Sequence, residues 1–75
     1  MIPTDWTKVQ STSIDAIKYD TASQELHVKY IDSGHTYAYS QVTPEEAENI
    51  LHSTSPGRTM RKSMIGLKPF RKITG

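Results

Sequence analysis

Apolar and polar positions alternate with a period of two through most of residues 13–42, then shift to a helical spacing. In SIDAIKY, residues 13–19, Ile17 and Tyr19 fall on one side of an extended chain and Ala16 and Lys18 on the other, which predicts a strand. Ile14 is out of phase with them and marks a bulge or the start of the strand. DTASQ, residues 20–24, is a polar turn. In ELHVKYI, residues 25–31, Leu26, Val28 and Tyr30 alternate against His27 and Lys29, the clearest strand in the chain. Asp32-Ser33-Gly34 then closes a second hairpin into HTYAYSQV, so the first 42 residues read as a three-stranded antiparallel meander.

VTPEEAENILH, residues 42–52, predicts a helix from its own termini. Thr43 is placed to cap it, Pro44 fits the first helical position, and Glu46 stands three residues after the cap, as a capping box requires. Val42 and Ala47 suit a hydrophobic staple, and Ala47, Ile50 and Leu51 form one apolar stripe to dock on a sheet. STSPG, residues 53–57, reads as the stop. In the basic segment that follows, residues 58–73, Met60 and Met64 lie one helical turn apart before Gly66 and Pro69 break the pattern. Phe70 and Ile73 are expected to pin this tail onto the body. Residues 1–12 show no period and read as an irregular N-terminal arm with Trp6 packed over a sheet edge, leaving 13–73 as a single domain. The expected fold class is α+β: a three-stranded antiparallel meander packed by one short helix, with a basic C-terminal segment folded back on it.

The second hairpin decides what Tyr37 and Tyr39 do. A three-residue Asp32-Ser33-Gly34 loop puts both rings on the face of His27 and Lys29, as a reading surface. A two-residue Ser33-Gly34 loop, or a four-residue loop ending at His35, sets Tyr30 opposite Tyr37 and Val28 opposite Tyr39, as core. Burying a tyrosine removes on the order of 150 Å² from water, which outweighs a preference between turns. The rings are therefore expected inward, mostly buried, with Ala38 turned away.

Composition narrows the class. With 75 residues the chain has room for one thin core, and without cysteine it has neither disulfide nor thiolate metal site to brace it. No apolar run reaches spanning length, and MIPTDWTK lacks the basic start and apolar stretch of a signal peptide, so a cytoplasmic protein without membrane contact is the default expectation. The net charge of +1 hides an asymmetry: residues 1–50 carry three lysines against all eight acids, a balance of −5, while residues 51–75 carry six bases and no acid, +6. That field favours phosphates or an acidic partner.

From Ser13 to Ile73 the chain resembles the KTSC domain, a short module found at the C-terminus of some lysyl-tRNA synthetases and as stand-alone bacterial or phage proteins. The resemblance rests on a serine-rich start before Ile14, Ile17, Tyr19 and Asp20, on Leu26, Val28 and Tyr30, and on Tyr37 and Tyr39. It continues through Val42, Pro44 and Leu51 to Ser55-Pro56-Gly57 and Gly66, Pro69 and Phe70. Through the synthetase context it implies RNA binding, and it implies no enzymatic activity. Ile65 and Leu67 stand where the family often has an arginine and a lysine, and Met60 where an aromatic is usual.

Catalytic chemistry finds no support in the residues. His27, His35 and His52 lack metal-ligand spacing; with Asp32, the first two offer at most an adventitious site on an exposed hairpin. Asp32, Ser33 and His35 crowd one turn that supplies neither an oriented base nor an oxyanion hole. SPGR and MIGLK lack the spacing of a phosphate-binding loop. No catalytic residue, metal ligand or cofactor is expected. Two binding functions remain. One is weak nucleic-acid binding, RNA above all, through Arg58, Arg61, Lys62, Lys68, Arg71 and Lys72, provided these converge. The other is a protein-interaction or structural role in a bacterial or phage assembly, self-association included, through Ile65, Leu67 and a sheet edge or bare sheet face.

Overall fold

The alternating stretch folds as a meander, and further elements extend it at both ends. A computed structural model describes residues 5–74, with elements in the order β1 (Thr7–Lys8), β2 (Ile14–Asp20), β3 (Glu25–Tyr30), β4 (Thr36–Tyr39), α1 (Pro44–Leu51), α2 (Pro56–Ser63) and β5 (Phe70–Thr74). One five-stranded sheet has the order β1-β2-β3-β4-β5, and each neighbouring pair is antiparallel. The class is α+β as expected, but five strands and two helices replace three and one. β1 spans two residues, too few for any period to register. β5 places Phe70 and Ile73 out of phase, so its alternation is hidden. The second helix was masked by Ser55-Pro56-Gly57, read as a stop although proline at the first helical position starts one. The expected irregular arm contributes β1; residues 1–4 of that arm lie outside the described residues.

The core lies on one face of the sheet. Ile14, Ile17, Tyr19, Leu26, Val28 and Tyr39 point from the strands toward Ala47 and Ile50 of α1, Met60 of α2 and Met64 at the C-cap of α2. The register slips between Ile14 and Ala16, the expected bulge, and this brings Ile14 into the core. Thr43 and Glu46 form the capping box, and flanking Val42 and Ala47 are both fully buried. Tyr19 ties the sheet to this helix: its hydroxyl donates to the Val42 carbonyl at 2.6 Å, while the Val42 N–H donates to the Gln24 carbonyl at 2.9 Å. Both backbone groups of a buried junction residue are thus satisfied from the first hairpin.

The second hairpin adopts none of the three expected loops. Tyr30 and His35 close a four-residue loop, Ile31–Gly34, in which Gly34 takes φ +71°, a conformation glycine adopts without steric cost. Val28 then pairs with Tyr37 and Leu26 with Tyr39, two residues away from the expected inward register but with the same parity. The rings therefore lie on the helix side, Tyr39 buried and Tyr37 half-buried, which removes them as a stacking surface on the opposite face. Ala38 does point to that opposite face, yet it is fully buried. It sits in the cross-strand row Lys18–His27–Ala38–Arg71, where Glu25 holds Arg71 Nη2 at 3.1 Å and His27 Nε2 stands 3.7 Å from the same carboxylate, beyond hydrogen-bond reach. A methyl group between the His27 and Arg71 side chains is hidden from water, so the expected bare face is partly covered. Trp6, 41% exposed, lies beside β2 with Lys18 Nζ 5.3 Å from its ring centroid. Phe70, 63% exposed, does not pin the tail by burial; the β4–β5 ladder does.

Two predictions follow from these ties. Tyr19→Phe leaves the buried Val42 carbonyl without its donor, and urea unfolding should show a loss of about 1–3 kcal/mol, more than for Tyr37→Phe at a half-exposed ring. Acid should also loosen α1. The Thr43 N–H, with Lys68 beside it, holds the Glu46 carboxyl below its ordinary range, and Arg71 does the same for Glu25. A depressed carboxyl contributes stability above its unfolded pKa, about 4.3, and loses it as pH falls through the folded value. Thermal melts should hold steady near neutrality and fall below about pH 4.3, with a shallower acid slope in Glu46→Gln.

Candidate nucleic-acid interface

The two helices are built alike in length and unlike in charge. Pro56 and Met60 of α2 and Met64 at its C-cap, spaced four apart, form a buried apolar stripe. Helical geometry then turns Arg58, Arg61 and Lys62 outward on neighbouring positions, and all three are exposed. Among the described residues no carboxylate lies within ion-pair distance of them. Helix α1 begins with a closed capping box and with Glu45 and Glu46 in its first turn, the arrangement that the positive end of a helix favours. Helix α2 begins with Ser55, whose side chain makes no capping bond, and its first turn holds no acid but does hold Arg58. Arg61 and Lys62, in the last turn, complement the dipole there. Arg58 opposes it.

This unneutralised end opens on a cleft of about 580 Å³. Ser11, Thr12 and Ser13 line one wall; Ser55, Arg58 and Arg61 line the other, and no carboxylate contributes to the lining. Ser11 Oγ accepts from the N–H groups of Ser13 (3.1 Å) and Ile14 (3.2 Å) and lies 3.3 Å from Ser13 Oγ, which fixes the serine wall. The walls approach closely because residue 57 is glycine: a Cβ there would stand 2.7 Å from Ser13 Oγ. The arrangement offers hydroxyls, guanidinium groups and the positive end of a helix, a donor set suited to an oxyanion.

The six bases expected to form one patch divide. Arg58, Arg61 and Lys62 share the outer face of α2. Lys68 donates from Nζ to the Gln41 carbonyl at 2.7 Å and to Glu46 at 3.1 Å, which fastens the segment after α2 to the start of α1. Arg71 is held by Glu25 on the far face of the sheet, and Lys72 sits opposite Tyr37 on β5. Ile65 and Leu67 flank Gly66, whose φ of +81° reverses the chain after α2, and they are 47% and 68% exposed. Among the described residues no three metal-ligating side chains gather, and no helix is long and apolar enough to cross a membrane. Sequence reasoning missed Ser11, Ser13 and Gly57 as parts of one site. Their signal was present as two separate motifs, the serine-rich start and Ser55-Pro56-Gly57, which only the fold joins.

The profile of the KTSC domain matches residues 10–64. The chain belongs to the KTSC domain family. The matched span of this KTSC domain contains both walls of the cleft and ends before Leu67 and β5. A protein of Tsukamurella paurometabola is 40% identical over 50 residues, covering 67% of this chain and 73% of that protein. The crystal structure of a KTSC domain protein from Yersinia pestis superposes with a TM-score of 0.86 at 29% identity, covering 92% of this chain and 96% of that one.

The contact at residue 57 is testable by a double-mutant cycle. Alanine for glycine inside a helix ordinarily stabilises by up to about 1 kcal/mol. Gly57→Ala alone should forfeit that gain because it displaces the Ser13 hydroxyl, whereas Gly57→Ala combined with Ser13→Ala should recover it, as read from urea midpoints.

Proposed function

We propose that this KTSC domain is a non-enzymatic module that binds nucleic acid weakly, RNA in the first place, by gripping backbone phosphates at the start and outer face of α2. The observation that carries this reading is Arg58. A cation in the first turn of an uncapped helix, on the wall of an acid-free cleft, raises a positive potential that a phosphate would relieve. Arg61 and Lys62 extend the same surface along the helix. The cleft lining holds no histidine, lysine or carboxylate able to exchange protons near neutral pH, which favours holding an anion over transforming it. The preference for RNA carries over from the synthetase context of the resemblance. Phosphate contacts of this kind position a chain without reading its sequence, so little sequence preference is expected.

A second reading, protein interaction in a bacterial or phage assembly, is favoured by a different observation. Ile65 and Leu67 stand exposed at the tip of one turn, where water gains nothing from them.

Anisotropy of a labelled mixed-sequence single-stranded RNA, followed across salt, tests the first reading. Three phosphate contacts predict a slope of log K against log salt of about −2, where six converging bases would give about −4. Changing Arg58, Arg61 and Lys62 together to Gln should abolish binding, while Arg71→Gln should leave it nearly intact. No binding to the wild-type chain at low salt, or equal losses from both variants, would overturn the proposal.

A further inference from the structure

We infer that the outer edge of β5, with the apolar groove beside it, takes an extended acidic segment of another protein as an added strand. This develops the interaction reading of Ile65 by naming its partner's chemistry, and it rests on that reading. The strand order leaves β5 without an outer neighbour among the described residues. Its free hydrogen-bonding groups can be assigned from the ladder. The Ser40 N–H donates to the Pro69 carbonyl at 2.8 Å, so the next hydrogen-bonded pair is Ala38 with Arg71, and the N–H and C=O groups of Phe70 and Lys72 face outward. The ladder slips between Thr36 and Tyr37, which confines the regular edge to about Phe70–Lys72 and suits a short segment.

The side chains at that edge supply both parts of a recognition surface. Phe70 and Lys72 pair with Tyr39 and Tyr37 and so share the face of the groove. The groove, about 360 Å³, is lined by Tyr30, Tyr37, Tyr39, Ile65 and Phe70 and by one acid, Asp32, at the β3–β4 loop away from Lys72 in the strand pairing. Tyr37 and Phe70 meet edge to face at 5.8 Å, and the Tyr30 and Tyr39 hydroxyls lie 2.7 Å apart. This volume accepts one bulky apolar side chain from an added strand, against an exposed Phe70 and Ile65. Charge selects the partner. A second copy pairing antiparallel through the same edge brings only Phe70–Thr74, which carry no acid to meet Lys72, and in one central register it sets Lys72 against Lys72, a destabilising like-charge pair. A strand with glutamate or aspartate two residues from its apolar anchor, and so on the same face, meets Lys72 instead, because Glu25 already holds Arg71 on the other face.

The probe is a fluorescein-labelled, end-blocked peptide with glutamate two residues to either side of one tryptophan and valine between, compared with the same peptide carrying lysine for glutamate. Binding of the glutamate peptide should be roughly fivefold tighter than that of the lysine peptide, with amide shifts at Phe70 and Lys72 in a nitrogen-15 spectrum. Lys72→Glu, an exposed change, should invert the preference while the rest of the spectrum is unchanged. Shifts confined to Ile65 and Leu67 would overturn strand addition and leave protein interaction at that turn standing. Equal binding of both peptides would overturn the acidic partner, and no binding of either would overturn the inference altogether. Concentration-dependent association of the chain alone through the Phe70 and Lys72 amides would replace the proposed partner by a second copy.

Discussion

Burial of the Pro56–Met60–Met64 stripe is the constraint on which the proposed binding surface depends. A domain of 75 residues has one thin core, and all three residues are buried, Met60 and Met64 within the cluster that the sheet and α1 build. Unbranched methionine side chains fill such irregular space where an aromatic would need a fixed cavity. Once they point inward, the helix has no rotational freedom left. Arg58, Arg61 and Lys62 must face water, and the start of the helix must lie against the Ser11–Ser13 segment, where Gly57 permits close approach. Packing thus sets the position of the charge.

The acids explain why only part of the basic segment remains available. All eight lie in the first fifty residues, and the fold brings two of them back onto the tail: Glu25 onto Arg71 and Glu46 onto Lys68. Each pair joins elements far apart in sequence. Glu46 also closes the α1 capping box, so one carboxylate serves the helix start and the returning chain. What remains is a small basic face on α2 and, separated from it, an aromatic groove at β5. The two surfaces differ in chemistry and need not compete for one ligand.

The parts of the fold legible in the sequence are those fixed by local rules. The β2 bulge at Ile14, the β3 alternation and the Thr43–Glu46 cap each depend on residues within a few positions of one another, and each appears in the structure. The tyrosine rings faced the expected way because parity, rather than the particular turn, decides the face. Elements that depend on distant partners were hidden. β1 exists because Thr7 and Lys8 meet Ile17 and Ala16, and β5 because Phe70–Lys72 meet Tyr37–Tyr39. The same holds for the site. Arg58, Arg61 and Lys62 were identifiable from charge, and Ile65 and Leu67 from their departure from the family pattern. The serine wall and the neutralisation of Lys68 and Arg71 required the tertiary fold.

The proposed function requires the uncapped, Arg58-bearing start of α2 to hold an anion and the closed cap of α1 to hold none. Titration of the nitrogen-15-labelled chain with inorganic phosphate tests it most directly, because the amides at each helix start report separately. Saturable shifts are expected at the Gly57 and Arg58 amides, with Glu45 and Glu46 unmoved. Shifts of equal size at both helix starts, or none at Gly57 and Arg58, would contradict it.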